Sequence, residues 1–139
     1  MKIVYWDTML FIYFVEAKTE DHRRVHQVYR HIRSHGHRII TSTITLGEML
    51  VPAYKENKTA AGQLVRELLD QIDMFPLDKR VAEHFAQIRA VHSVQPPDAI
   101  HLATAALHKA DVFLTNDRAL QKLKVRGIGA IQGIDRIRF

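Results

Sequence analysis

The chain of 139 residues is 47% hydrophobic and 25% charged, a composition that is typical of globular proteins and excludes a disordered or fibrous one. It has no cysteine, which excludes a disulfide scaffold and thiolate chemistry and is typical of a cytoplasmic protein. Its net charge of +5 favours polyanionic partners. We therefore expect one globular domain covering residues 1–139.

Five apolar runs predict β-strands, at residues 2–6, 38–42, 74–77, 112–115 and 128–131. The run at 74–77 is the weakest, because Pro76 has no N–H to donate and suits only the edge or the end of a strand. The first run continues past Asp7 into a second apolar stretch, which we interpret as a helix. Asp7 interrupts this opening and its apolar length is too short to span a bilayer, so we expect no membrane association.

Apolar residues repeat at helical spacing between these runs and predict helices at residues 21–34, 60–72, 81–91 and 98–109. Pro96 and Pro97 fix the start of the last of these, and Asn116 and Asp117 open a further short helix that runs through Lys122. Strands and helices that alternate with short connections predict an α/β fold with three α/β/α layers and a mostly parallel central sheet of about five strands.

Four acidic residues stand where an apolar run ends or a helical pattern opens: Asp7, Glu48, Asp98 and Asp117. In a parallel sheet these positions fall at one edge, where open α/β folds bind their ligands. Asp7 is the most informative of the four. An ionised group between two apolar stretches is costly to desolvate, so the sequence predicts that something positive faces it.

Helix capping is a structural alternative for three of the acids. Asp117 suits an N-cap, Asp98 lies in a first helical turn, and Glu48 follows Thr45 by three residues, as in a capping box. Capping explains Asp7 least well, because an uncharged Ser or Asn would cap a helix at a smaller desolvation cost.

If the four carboxylates meet, they raise one another's pKa unless a cation lies among them, so the cluster predicts a cation site. Oxygen ligands without sulfur suit a hard ion, Mg²⁺ or Mn²⁺. Such an ion polarises a phosphoryl oxygen and generates hydroxide from a bound water molecule. Hydrolysis of a phosphodiester is therefore the reaction that such a site favours.

Four blocks of the sequence resemble, in order and spacing, those of the PIN domain and particularly of VapC-type toxins: IVYWDT (3–8), TSTITLGE (41–48), PDAIHLATA (97–105) and LTND (114–117). The resemblance covers essentially the whole chain. It implies a PIN-like fold and a dimeric endoribonuclease that depends on Mg²⁺ or Mn²⁺ and is neutralised by a small cognate antitoxin. By motif position, it assigns metal binding and catalysis to Asp7, Glu48, Asp98 and Asp117.

The resemblance also suggests supporting residues. Thr115 would supply a hydroxyl that positions a water molecule or a carboxylate, and we expect Arg118 to guide the RNA backbone. One position departs from the family pattern, because Met9 stands where the family often has Asn or another polar residue. The hydrogen bond that such a residue makes is either absent here or supplied by Thr8.

Two histidine pairs are spaced four residues apart, His22 with His26 and His31 with His35, a spacing that can hold a transition metal on a helix. They lack a third ligand in register, so we interpret them as part of a solvated helix face. His101 lies one turn into the helix that contains Asp98. We interpret it as an interface or partly buried residue rather than as an acid or an RNA contact.

Two other functions stay open from the sequence. A weakly active or inactive PIN-like module that binds RNA or protein would fit the presence of Met9. A phosphoacceptor receiver domain has a similar size and acidic edge. It needs an acidic pair after the first strand and a lysine after the last, whereas here Asp7 stands alone and no suitable lysine follows Ile131.

Overall fold

The computed structural model describes residues 1–139. Five strands and seven helices follow one another in the order β1 (Ile3–Trp6), α1 (Thr8–Val15), α2 (Glu20–Ser34), β2 (Arg38–Ser42), α3 (Thr43–Lys55), α4 (Thr59–Leu69), β3 (Asp73–Phe75), α5 (Lys79–Val91), α6 (Pro96–Leu107), β4 (Val112–Leu114), α7 (Arg118–Gln121) and β5 (Ala130–Gln132). None of these helices combines the length and the hydrophobicity needed to cross a membrane.

The five strands form one sheet in the order β3-β2-β1-β4-β5, and every neighbouring pair is parallel. The predicted strand at 74–77 is confirmed as an edge strand, β3. Strand β1 lies at the centre, with β2 on one side and β4 on the other. The chain therefore leaves β1 toward one side and later returns to the other, which places a crevice at the carboxyl ends of the central strands.

Both faces of the sheet are covered, because alternate residues of its strands point into two separate cores. Val4 and Trp6 belong to a core shared with α1, α2, α3 and α4, whereas Tyr5 belongs to a core shared with α5, α6 and α7. In β4, Phe113 points to the side of Tyr5 and its two neighbours point to the other side. This arrangement confirms the predicted three-layer α/β/α fold.

Most predicted boundaries were displaced by one to three residues, and hydrogen bonds explain two of these displacements. Helix α4 ends at Leu69 rather than at Ile72, because the N–H groups of Gln71 and Ile72 bond to carbonyls three residues earlier and tighten the last turn. Strand β5 begins at Ala130 rather than at residue 128. There the Gly129 N–H bonds to the Ala110 carbonyl, and the ladder with β4 starts one residue later.

The capping box that was the structural alternative for Thr45 and Glu48 does not form. Helix α3 begins at Thr43, and its N-cap is Ser42, whose hydroxyl accepts from the Ile44 N–H at 3.2 Å. The Thr45 hydroxyl instead contacts Thr41 at 2.9 Å inside the protein. Glu48 thus lies in the second turn of α3, where its side chain caps nothing.

Candidate functional site

The four acids predicted from the sequence meet in one pocket of about 450 Å³ at the carboxyl edge of the sheet. Asp7 follows β1, Asp117 follows β4, and Asp98 and Glu48 lie on α6 and α3. The remaining lining residues are Thr8, Met9, Ile12, Tyr13, Pro97, His101 and Asn116. Residues as distant in the chain as Asp7 and Asp117 therefore form one acidic surface.

Asp7 is buried, with 8% of its surface exposed, and two hydrogen-bond donors bind its carboxylate. It is the N-cap of α1, where one carboxylate oxygen, Oδ1, accepts from the Met9 N–H at 2.9 Å. The other oxygen, Oδ2, accepts from the Thr115 hydroxyl at 2.6 Å. No Lys, Arg or His side chain forms an ion pair with it, so these neutral donors offset its desolvation but leave its charge uncompensated.

Thr115 links two of the acids. Besides donating to Asp7, its hydroxyl accepts from the Asp117 N–H at 3.1 Å. Asp117 in turn caps α7, with Oδ1 accepting from the N–H groups of Ala119 and Leu120 at 2.8 and 3.3 Å. The structure therefore places Thr115 where it positions a carboxylate, and Asp117 is the N-cap that its sequence suggested.

Asp98 differs from the other three acids because it accepts no hydrogen bond from the protein; it lies in the first turn of α6. Burial, followed by the charges of Asp7 and Asp117, raises the pKa of Asp98 above its ordinary value. Glu48 adds to this repulsion and His101 opposes it. The carboxylates thus repel one another, as the sequence predicted for an acidic cluster.

Glu48 has one oxygen bound by two donors. Its Oε1 accepts from the Thr8 hydroxyl at 2.7 Å and contacts Nε2 of His101 at 3.1 Å. The hydrogen bond from His101 lowers the pKa of Glu48 below its ordinary value; burial opposes this effect and the Thr8 hydroxyl adds to it. Glu48 is therefore favoured as an ionised carboxylate.

His101 is more closely integrated into the site than its sequence indicated. It is 4% exposed, and its Nδ1 lies 2.6 Å from the hydroxyl of Tyr5 on β1. Burial is the main cause that raises the pKa of Tyr5 well above its ordinary value, so the phenol stays protonated. The one sequence signal for this role is that His101 follows Asp98 by three residues, which puts both on one face of a helix.

The remaining predicted residues differ in their placement. Thr8 lines the pocket and supplies a hydrogen bond, to Glu48. Met9 also lines the pocket, 41% exposed, and it donates to Asp7 only through its backbone N–H. Arg118 is exposed on α7 outside the pocket and forms no hydrogen bond or ion pair with the protein, so its predicted contact with RNA stays a prediction.

A hard divalent cation fits the donor chemistry of this pocket, because the pocket offers four carboxylates and no sulfur. Burial and, after it, the charges of Asp7 and Asp117 raise the pKa of Asp98, and a bound cation would offset the part that is due to repulsion. As the side chains stand, however, no three Asp, Glu or His residues converge closely enough to hold a metal ion. Several carboxylate oxygens bind protein donors instead, so the four carboxylates line one pocket without forming a complete coordination sphere.

The two histidine pairs bond to backbone carbonyls, so the interpretation as a solvated face is incomplete. His22 Nδ1 and His26 Nε2 each lie 2.9 Å from a carbonyl in the last turn of α1, those of Tyr13 and Phe14. His35 Nδ1 contacts the carbonyl of His31 at 2.9 Å. The contacts of His22 and His26 satisfy carbonyls that the end of α1 leaves free.

Comparison with protein families identifies the domain. The model of the PIN domain matches residues 4–125, which is most of the chain. The protein belongs to the PIN domain family. This PIN domain carries all four acids of the pocket within the matched range. Its strand order also differs from the 2-1-3-4-5 order of receiver domains, which removes the phosphoacceptor alternative.

Solved structures with the same fold include several VapBC proteins. VapBC2 from Rickettsia felis, bound to a promoter DNA fragment, has a TM-score of 0.75 at 13% identity, covering 94% of this chain and 98% of that one. DNA-bound VapBC from Salmonella typhimurium has a TM-score of 0.68 at 24% identity, covering 96% and 99%. VapBC-5 from Mycobacterium tuberculosis has 0.64 at 19%, covering 95% and 99%. At these identities the likeness establishes the fold. A comparison with curated proteins gave no match.

Proposed function

We propose that this PIN domain is a Mg²⁺- or Mn²⁺-dependent endoribonuclease that acts as the toxin of a toxin–antitoxin pair. The observation that carries the proposal is the convergence of Asp7, Glu48, Asp98 and Asp117 on one pocket. Helix capping accounts for Asp7 and Asp117 individually. It does not account for Glu48, which caps nothing, or for the position of Asp98, whose pKa is raised by burial and by the neighbouring charges of Asp7 and Asp117.

In this proposal Asp7, Asp98 and Asp117 bind the metal, and Glu48 holds the ion or orients the attacking water molecule. When bound, the metal would polarise a phosphoryl oxygen and lower the pKa of a coordinated water molecule. The Thr115 hydroxyl donates to the Asp7 carboxylate and accepts from the Asp117 N–H, and the Thr8 hydroxyl donates to one oxygen of Glu48. The protein thus supplies oriented anionic oxygens at the place where the phosphodiester would lie.

The basic surface supports a polyanionic substrate. Of the 20 Lys and Arg side chains, Arg24, Arg38 and Lys58 are the three that form ion pairs with carboxylates, so most of the positive charge faces solvent. Arg118, adjacent to Asp117 and exposed, is the basic residue that we propose to guide the RNA backbone into the pocket. The positive charge supplies affinity for a backbone without selecting a sequence.

A protein partner is proposed on two grounds. The VapBC-5 structure is described as a member of a family of toxin–antitoxin systems. In this chain, α3 and α4 pack together and leave three large apolar side chains exposed, Val51, Tyr54 and Leu64. We propose that a cognate antitoxin and a second copy of the chain, in a homodimer, cover apolar surface of this kind. The protein would act in the cytoplasm, where RNA is available.

The test is cleavage of structured RNA by the purified chain. We expect cleavage with Mg²⁺ or Mn²⁺ and none with EDTA, and Asp7→Asn should reduce the rate on the order of 10²–10³-fold, because one charged ligand of the metal is lost. Asp70→Asn is the matched control, since Asp70 is exposed outside the pocket. Equal rates for Asp7→Asn and the unaltered protein would refute the assignment of Asp7.

A regulatory RNA- or protein-binding module is the second candidate. It is favoured by Met9, which offers the pocket no polar side chain, and by carboxylates that do not yet converge on a metal. This function predicts tight RNA binding that persists in EDTA, with no cleavage under any divalent cation. A filter-binding assay beside the cleavage assay therefore separates the two candidates.

A further inference from the structure

His101 connects β1 with α3 through hydrogen bonds inside the protein. Its Nδ1 lies 2.6 Å from the Tyr5 hydroxyl, and its Nε2 lies 3.1 Å both from Oε1 of Glu48 and from the Thr8 hydroxyl oxygen. Tyr5 and His101 are both buried, whereas Glu48 reaches the pocket surface. The three residues form a chain that ends at one of the four acids.

The direction of these hydrogen bonds follows from the groups involved. An ionised carboxylate can only accept, so Nε2 of His101 carries the proton that is shared with Glu48. In a neutral imidazole the other nitrogen is then an acceptor, and the Tyr5 phenol is the donor that it meets. Tyr5 thereby selects the tautomer of His101 that presents a donor to Glu48.

The two oxygens of Glu48 consequently differ. Oε1 receives the Nε2–H of His101 and the Thr8 hydroxyl, whereas no protein donor binds Oε2. A metal ligand whose remaining atoms are held by hydrogen bonds loses less conformational freedom when the ion binds. With Oε1 fixed in this way, Oε2 is the oxygen of Glu48 that no protein group occupies.

We propose that His101, oriented by Tyr5, is a positioning residue that fixes Oε1 of Glu48 and presents Oε2 to the metal ion or its bound water. This inference rests on the proposed function for the identity of the ligand. A purely structural histidine is the alternative, since a buried imidazole with two partners also satisfies the interior. The alternative requires only that the cavity be filled, whereas positioning requires an N–H at the place of Nε2.

Three variants distinguish a positioning role of His101 from a purely structural role, and Mn²⁺ is the ligand used to probe them. His101→Leu fills the cavity without a donor, and His101→Gln places an amide N–H near the position of Nε2. We expect His101→Leu to weaken Mn²⁺ binding about 10- to 100-fold in a calorimetric titration of the full chain, and His101→Gln to recover most of that loss. Tyr5→Phe should have a smaller effect than His101→Leu, because a neutral imidazole can still carry its proton on Nε2.

His108→Leu is the matched control. His108 is the C-cap of the same helix, stacks on Phe75 and lies outside the pocket, so Mn²⁺ affinity should not change. Thermal unfolding of each variant corrects for lost stability. Equal Mn²⁺ affinities of His101→Leu, His101→Gln and the unaltered chain would overturn the positioning role. An equal loss of Mn²⁺ affinity in His101→Leu and His101→Gln would overturn it as well.

RNA cleavage measured on the same samples keeps the two proposals apart. If the unaltered chain cleaves RNA and His101→Leu matches it in Mn²⁺ affinity and rate, the positioning role fails and the proposed function stands. If no sample cleaves RNA but His101→Leu loses Mn²⁺ affinity and Gln restores it, the positioning role stands and the nuclease function fails. An unaltered chain that binds no Mn²⁺ overturns both.

Discussion

Asp7 is tolerated at a nearly buried position because its two oxygens have different donors. The Met9 N–H would cap α1 equally well with an uncharged side chain, so the charge itself needs another reason. The Thr115 hydroxyl, 2.6 Å away, is the shortest contact that Asp7 makes, and it comes from a neighbouring strand end. The hydrogen bond between Thr115 and Asp7 thus joins the carboxyl ends of β1 and β4 at the pocket.

Replacing Thr115 by Val keeps the side-chain shape and removes this hydroxyl. We expect Thr115→Val to weaken Mn²⁺ binding and RNA cleavage about 10- to 100-fold, since Asp7 loses one of its two donors and the Asp117 N–H loses its acceptor. Calorimetry and cleavage rates measure the two effects. The control is Thr104→Val, because Thr104 is also buried and its hydroxyl bonds only to the Ile100 carbonyl within α6. Equal losses in both variants would contradict a specific role for Thr115.

The sequence located the four acids, and the family resemblance suggested Thr115 and Thr8 as hydrogen-bonding residues, but neither identified the carboxylate that each one binds or the contact of His101 with Glu48. Asp7 and Asp117 were identifiable because strand ends and helix starts are visible as local patterns. The bond between Glu48 and His101 joins residues 53 positions apart, and that between Asp7 and Thr115 joins residues 108 apart. No local pattern contains such pairs. Their partners became apparent only when the sheet order was known.

At the level of elements, strand centres were predicted better than helix and strand ends. Strand β2 was predicted with its observed limits, because Arg38–Ser42 is bounded by polar and glycine-containing segments. Helix α3 had no explicit prediction as a whole. Three β-branched residues open it and Pro52 interrupts its hydrogen bonds, both of which lower helix propensity. Packing against α4 and the Ser42 cap override that local preference.

Two glycines differ in the space around them, and substitution by Ala should change stability in opposite directions. At Gly129, just before β5, an added Cβ would lie 2.3 Å from the Asp111 carbonyl oxygen, and backbone atoms cannot yield easily. At Gly47, inside α3, an added Cβ meets nothing within 4 Å. We expect Gly129→Ala to lower the free energy of unfolding by about 2 kcal/mol and Gly47→Ala to raise it by about 0.5–1 kcal/mol.

Urea unfolding with an unchanged denaturant slope measures both glycine variants, and each serves as the other's control for the general effect of adding a methyl group. If Gly129→Ala unfolded at the same urea concentration as the unaltered chain, the close contact between the start of β5 and the segment before β4 would be refuted. The result would also question the position at which the last strand begins.

Over the whole molecule, the sheet concentrates negative charge at one place while the rest of the surface is basic. Four carboxylates line the pocket of a chain whose net charge is +5. The fold produces this contrast because the central strands β2, β1 and β4 are parallel and end at the same edge. Ionised Asp98 therefore disfavours folding in the absence of a cation, since its burial and the repulsion from Asp7 and Asp117 have no counterpart in the unfolded chain.

Asp98→Asn tests this balance between stability and cation binding. The folded-state pKa of Asp98 is raised, so its ionisation disfavours folding above that pKa, and the penalty disappears as the pH falls through it toward the unfolded value. In EDTA at pH 7 we expect Asp98→Asn to be more stable than the unaltered chain by about 0.5 kcal/mol, a modest value because solvent screens a half-exposed group. The difference should vanish near pH 3.

Saturating Mn²⁺ should reverse the order of these two proteins. A ligand present at 100 times its dissociation constant stabilises the folded state by about 2.7 kcal/mol, and a variant that lacks one carboxylate gains less. Thermal unfolding in EDTA and in Mn²⁺ measures both states, with Asp70→Asn as the control that should change in neither. If Asp98→Asn were less stable in EDTA, or gained as much from Mn²⁺ as the unaltered chain, repulsion at the pocket would not be what the cation relieves.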